Sequence, residues 1–385
     1  MYPELNIGIV GHVDHGKTTL VEGLTGKWVD TFSEEKKRGI TIRLGYADFS
    51  IYRCKKCGKL GVNKKCIFCF SDCKLERTFS LIDAPGHESL IPIVLTGASL
   101  FNAAILVIAA NEKCPQPQTK EHLRALEIGK IKNIIIVQNK IDLVSREEAE
   151  RNYNEIKEFV KGTIAENAPI IPISAQQRVG IEFLLEELLL IKKPNYQEGD
   201  FLFLIARSFD VNKPGITPKE MVGGVIGGSV IRGKLKKGEE VIIKPVKIED
   251  KYVEIKTKIN KIKRGELEVE EATCGGLVAL ETSLDPSLAK SDRLVGCIAG
   301  TKNLPDTIYK LESTYILFND YKLKNGDTLL ITCRNSRSIG KIVFMNENNL
   351  KVELKNPICV DKGNVVSYSK LIEGRWRLIG FGKVI

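Results

Sequence analysis

The segment GHVDHGKT at residues 11–18 fits the pattern G-x-x-x-x-G-K-[S/T]. It stands between an apolar run at residues 5–10 and an amphipathic stretch that begins at Lys17. A strand that turns on glycine into a helix gathers backbone N–H groups and the positive end of the helix dipole at one point. Such a point holds anionic oxygen. This constrains the chain to a βαβ architecture opening on a phosphate site, with Asp14, His15, Gly16, Lys17, Thr18 and Thr19 as its contacts. Lys17 is placed to reach β- and γ-phosphates, and Thr18 to put its hydroxyl on magnesium.

Two later motifs extend this reading. DAPGH at residues 83–87 closes an apolar strand. Asp83 is placed to hold magnesium, through a water, and Gly86 to give its N–H to a γ-phosphate. NKID at residues 139–142 follows another apolar strand. The Asp142 carboxylate can accept from N1–H and the exocyclic amine of guanine, a donor pair that adenine lacks. The Lys140 stem can cover the base. Ser174, Ala175 and Gln176, after the next strand, offer backbone N–H groups to guanine O6. GTP and GDP are thus the expected nucleotides.

At 385 residues the chain is too long for one core and suggests two or three domains. Apolar runs at 5–10, 79–83, 103–109, 133–138 and 170–174 read as strands of a parallel sheet. Helices are expected from Lys17, His87, Gln118, Arg146 and Gly180. A polar Pro/Gly segment at 192–200 reads as a linker. Beyond it, β-branched runs punctuated by glycine read as all-β barrels. The expected fold is multidomain α/β + β. A P-loop domain (1–197), mostly parallel with helices on both faces and a zinc knuckle insertion, precedes two β-barrel domains (198–303 and 304–385). No apolar run reaches the ~18 residues needed to span a bilayer, and the N-terminus lacks a secretory pattern. A cytoplasmic location and no membrane partner are expected.

Four of the 10 cysteines form Cys54-x-x-Cys57 and Cys66-x-x-Cys69, separated by residues 58–65. Each pair puts two sulphurs on one tight turn, and two such turns complete an S4 set for structural zinc. Cys73 is a spare thiol that could substitute as a ligand.

Charge is uneven. Residues 1–200 hold 27 basic and 26 acidic side chains; residues 201–385 hold 31 and 22. A basic half-chain suits a polyanion such as nucleic acid, and equally a solvated Lys/Glu surface.

Taken together, GHVDHGKTT, RGITI (38–42), DAPGH, NKID and Ser174-Ala175 resemble the translational GTPases over the full chain. Among these the chain is most similar to the gamma-subunit family of translation initiation factor 2. KRGITIRLGYA (37–47), the cysteine knuckle, QPQTKEH (116–122) and FDVNKPG (209–215) point there. LDPSLAKSD (284–292) and GRWRLIG (374–380) fit as well.

The resemblance implies that Thr41 binds magnesium and closes over the γ-phosphate. It implies that Asp14 and the Gly39 carbonyl serve a second metal, and that His87 orients the attacking water. It further implies a carrier of initiator methionyl-tRNA to the small ribosomal subunit, in a heterotrimer with alpha and beta subunits, releasing its cargo on GTP hydrolysis. Gln176 departs from the family's usual Leu, at a position whose contact is through backbone. Two other readings stay open. One is an elongation-factor-type or selenocysteine-specific aminoacyl-tRNA carrier. The other is a binding module that uses GTP only as a switch ligand.

Overall fold

The computed structural model describes residues 2–26, 41, 44–194, 197–217, 220–318 and 321–385. The chain divides into two compact units, Met1–Lys193 and Pro194–Ile385.

The first unit is a seven-stranded sheet. Its strands are β1 (Asn6–Gly11), β2 (Gly45–Cys54), β3 (Leu60–Gly61), β4 (Cys73–Asp83), β5 (Ala103–Ala109), β6 (Ile134–Asn139) and β7 (Ile170–Pro172). They lie in the order β3-β2-β4-β1-β5-β6-β7. All pairings from β4 to β7 are parallel. β1, β5 and β6 are buried at every position, as continuous apolar runs must be when both faces are covered.

Among the described residues five helices cover the sheet: α1 (Lys17–Thr25), α2 (Ile91–Ala98), α3 (Pro117–Ile128), α4 (Arg146–Val160) and α5 (Ile181–Leu190). On one face Ile7, Ile9, Ile105 and Val107 pack with Leu20 and Leu24 of α1 and Leu184 and Leu188 of α5. On the other, α2 and α3 lie against β1 and α3 against β5. Most strand and helix starts fall within a residue of the sequence expectation; β4 begins at Cys73 rather than at residue 79, and α2 at Ile91 rather than at His87.

The largest difference is β2. The sequence predicts a zinc knuckle insertion in this region and no strand leading to it. The structure makes β2 a ten-residue strand running antiparallel to β4, from Gly45↔Asp83 to Cys54↔Cys73. The knuckle is the far end of that ladder. It is tied into it by Cys54 N donating to Lys59 O and Cys73 N to Lys64 O (each 2.9 Å).

In the second unit a barrel runs through Glu240–Ile248, Ile298–Gly300, Leu202–Phe209, Val225–Arg232, Val278–Thr282 and Lys251–Arg264. Pairing of the first with the last closes it. Phe201, Phe203, Ile226, Val241 and Ile262 fill it. A second seven-stranded sheet is built from strands within Asp306–Thr314 to Arg375–Lys383 around Leu311, Ile331, Val352 and Tyr368. The two meet where Asn335 Nδ2 donates to the Ile205 and Cys297 carbonyls (3.0 and 2.9 Å). No helix among the described residues is long and apolar enough to cross a membrane.

Candidate functional site

The residues between β1 and α1 form a loop over the C-terminal edge of the parallel strands. Gly16 caps α1 in the left-handed region (φ 86°), and no side chain caps the helix. Its first N–H groups therefore face the loop without a side-chain acceptor, which suits an anion. A Cβ at Gly16 would strike the Asn139 amide, and one at Gly86 would strike the Lys17 ammonium and the Val13 N–H. Glycine at these two positions lets three segments close on one point.

Polar groups converge there. Thr18 Oγ1 donates to Asp83 Oδ2 (3.0 Å) and lies 3.3 Å from Thr41 Oγ1. Three hard oxygens at the mouth of an uncapped helix are the donor set magnesium prefers. The buried Lys17 ammonium folds back to the His12 carbonyl (2.7 Å). Asp14 is exposed in the left-handed region (φ 61°), and Thr19 is half-buried in the first helical turn. Gly39 lies outside the described residues.

Three histidines surround the loop. His15 is held between the Val107 carbonyl (3.1 Å) and Glu112 (3.4 Å), and burial pushes its pKa down to about 4. Burial likewise lowers His12, and holds His122 well below the ordinary imidazole value. Near neutral pH all three stay uncharged, so Lys17 is the cation the loop presents. His122 accepts the Gly11 N–H at Nδ1 (2.6 Å) and so fixes where the loop begins. The sequence reading gave it no role; its stretch, residues 116–122, was a signal without a mechanism.

His87 is half-buried after β4, with Nδ1 2.8 Å from Ser89 Oγ. At the base-reading end, Asn139 Nδ2 donates to the His15 carbonyl (2.9 Å) and Oδ1 accepts the Ala175 N–H (2.9 Å). Asn139 thus laces the phosphate loop to the loop after β7. Lys140 is left-handed (φ 64°), and Asp142 stands exposed in a short 3-10 turn. Ser174 Oγ accepts the Gln177 N–H, and Gln176 is exposed.

Far along the β2–β4 ladder the sulphurs of Cys54, Cys57, Cys66 and Cys69 lie within 4.8 Å of one another. Three separations are 3.4, 3.6 and 3.7 Å. A tetrahedral ZnS4 centre with 2.3 Å bonds has edges of about 3.8 Å, so the set fits zinc. The Cys57 and Lys56 N–H groups both point at Cys54 Sγ (3.4 Å), and they pull its pKa down to about 6. N–H groups aimed at sulphur favour the thiolate form that a metal ligand requires. Cys73 is not one of the four; its thiol lies 3.8 Å from the Ser71 carbonyl.

Comparison with known proteins places these features in company. The model of the elongation factor Tu GTP binding domain matches residues 3–194. The model of the initiation factor eIF2 gamma C-terminal region matches residues 310–384. The translation initiation factor 2 subunit gamma of Methanococcus aeolicus is 50% identical over 400 residues, covering 98% of both chains. The Pyrococcus furiosus protein of that name is 47% identical, covering 98% of this chain and 97% of its own. A crystal structure of a bacterial selenocysteine-specific elongation factor superposes with a TM-score of 0.76 at 27% identity, over 100% of this chain and 58% of that one. SelB from Methanococcus maripaludis, solved with a GTP analogue, shares the fold (TM-score 0.75, 24% identity) over 100% of this chain and 79% of its own.

Proposed function

This chain belongs to the gamma-subunit family of translation initiation factor 2, and from that premise we propose that it is the GTP-switched carrier of initiator methionyl-tRNA to the small ribosomal subunit. It is a translational GTPase. The observation that carries the reading is the meeting of Thr18, Thr41 and Asp83 beside Lys17 at the uncapped start of α1.

In this reading the loop of Asp14, His15, Gly16, Lys17, Thr18 and Thr19 wraps the phosphates. Lys17 leaves the His12 carbonyl to meet them. Thr18, Thr41 and Asp83 hold magnesium, which when bound neutralises charge between the β- and γ-phosphates. Asp14 and Gly39 serve a second metal. Thr41 couples the first switch to the γ-phosphate, and Gly86 couples the second through its N–H. Ser89 steadies His87 at Nδ1, leaving Nε2 to orient the attacking water. Asn139, Lys140 and Asp142, with the backbone of Ser174, Ala175 and Gln176, select guanine. Cys54, Cys57, Cys66 and Cys69 hold structural zinc. The chain works in the cytoplasm in a heterotrimer with alpha and beta subunits. Ordering of the switches by GTP sets the affinity for tRNA, and hydrolysis releases it.

Filter binding of the heterotrimer to initiator methionyl-tRNA and to elongator aminoacyl-tRNAs tests this, in GTP and then GDP. Tight binding of the initiator in GTP alone is expected. Preference for an elongator tRNA would return the chain to the elongation-type carriers whose fold it shares. Absence of phosphate release from the ribosomal complex would make it a switch without hydrolysis.

A further inference from the structure

Among the described residues the most concentrated positive charge of the first unit lies around the zinc knuckle, away from the phosphate loop. Residues 54–74 hold Lys55, Lys56, Lys59, Lys64, Lys65 and Lys74 against a single acid, Asp72. All six lysines are exposed. None has a carboxylate within ion-pair distance among the described residues. Without them, the 27 basic and 26 acidic side chains of residues 1–200 become an excess of acid. The same tip exposes apolar rings: Phe68 is 56% and Phe70 79% accessible, beside Ile67 at 64%. Lys59 Nζ sits 3.8 Å over the Phe68 ring. Between the knuckle and α5 a groove is lined by Lys59, Lys65, Phe68, Arg178 and Leu185.

Lysines crowded without counter-ions repel one another, and a polyanion that meets them relieves that repulsion. Exposed phenylalanines interleaved with them add faces on which bases stack. A protein partner would need a row of acids matched to these lysines, whereas a nucleic acid brings phosphates and base faces together. The S4 centre makes the display rigid, so little entropy is lost on contact.

We propose that the zinc knuckle is an RNA-binding finger that grips ribosomal RNA of the small subunit. Its lysines meet phosphates, and Phe68 and Phe70 stack on unpaired bases. Position selects ribosomal RNA over the carried tRNA. The ladder runs ten residues from Gly45, opposite Asp83, to Cys54, which is about 30 Å at ~3.3 Å per residue. A contact so far from the γ-phosphate site is poorly placed to be released by hydrolysis, as cargo must be. It suits a landing contact instead. The inference rests on the carrier reading above.

The test is the heterotrimer carrying Lys59→Glu, Lys64→Glu and Lys65→Glu, and separately Phe68→Ala with Phe70→Ala. Affinity is measured for purified small ribosomal subunits, initiator tRNA and a protein-free fragment library of the subunit's RNA. Charge reversal is expected to weaken subunit and RNA binding at least tenfold. It should also flatten the salt dependence by about two counter-ions, at ~0.7 per phosphate lost. The ring variant should cost about five- to a hundredfold. Zinc content, GTP affinity and tRNA affinity should stay within twofold. Equal subunit binding by wild type and both variants overturns the proposal and leaves the carrier reading intact. Loss of tRNA binding in the same proportion overturns the choice of ribosomal RNA. Wild-type failure to bind both tRNA and subunit overturns the carrier reading with it.

Discussion

At one end of the β2–β4 ladder Gly45 pairs with Asp83; at the other Cys54 pairs with Cys73. Around Asp83 order comes from burial. Asp83, Lys17, His15, Asn139 and Ser174 are all nearly inaccessible, and Asp83, His15 and Asn139 are each held by a partner distant in sequence. Around Cys54 the chain is largely exposed, and its order comes from four sulphurs and a few turn hydrogen bonds. The first end uses glycine to let segments approach. The second uses a left-handed glycine, Gly58, to turn back within four residues. A switch needs groups poised for a ligand that comes and goes. A fixed display needs a staple that stays. Two sites on the same pair of strands can therefore be independent.

The largest expected effect belongs to the buried end. Lys17 is the cation left beside three neutral imidazoles, so Lys17→Met should cut GTP hydrolysis about 10³-fold and weaken GTP binding together with it. Stopped-flow nucleotide binding and single-turnover phosphate release measure both; wild-type rates in the variant would remove Lys17 from the site. His87→Ala should act more narrowly, lowering release in the ribosomal complex about 10²-fold with GTP affinity unchanged. Loss of affinity instead would make His87 a packing residue.

Acid should separate the two ends next. The folded pKa of His15 is about 4, below the ordinary 6.5, because burial disfavours its charged form. As pH falls through 6.5 the unfolded chain takes up a proton that the folded chain refuses, so stability is lost from there down to about 4 and then levels off. The limit of that loss for His15 is about 3 kcal/mol. His122 adds in the same direction. Urea unfolding of the wild type and of His15→Asn at pH 7, 5.5 and 4.5 should give a shallower decline in the variant. Equal slopes would place the acid sensitivity elsewhere.

How much of this could be seen in the chain alone depended on how local each signal was. GHVDHGKT, DAPGH and NKID were legible because phosphate and guanine chemistry demands particular residues at fixed spacing. β1, β5 and β6 were legible because strands covered on both faces are apolar throughout. β2 was not: its GYADFSIYRC mixes buried and half-buried positions, and the strand that explains it lies at Cys73–Asp83. His122 was silent for the same reason, since the Gly11 N–H it fixes is 111 residues away. Asn139 was legible only as part of NKID, and its lacing of two loops is invisible until both are folded. The S4 set was legible from spacing. The lysines and phenylalanines around it gained meaning only when they proved exposed, the lysines without carboxylate partners among the described residues.

The smallest expected effect is the sharpest test of independence. Cys54→Ser with Cys66→Ser breaks both turns of the knuckle, so bound zinc should fall from one per chain to none, read by metal analysis. Exposed chain beyond Cys54 then loses its staple. The phosphate end should barely notice. Its oxygens are positioned by Gly45↔Asp83 pairing, by Ser80 Oγ donating to Asp48 (2.7 Å), and by the parallel pairing of β4 with β1. None of these passes through sulphur. GTP affinity and single-turnover hydrolysis within twofold of wild type are expected, with hydrogen exchange rising in residues 54–74 but not in 79–83. A fall in GTP affinity that tracks zinc loss would show strain passing along the full ladder. The two ends would then be one coupled device, and the knuckle a regulator of the switch.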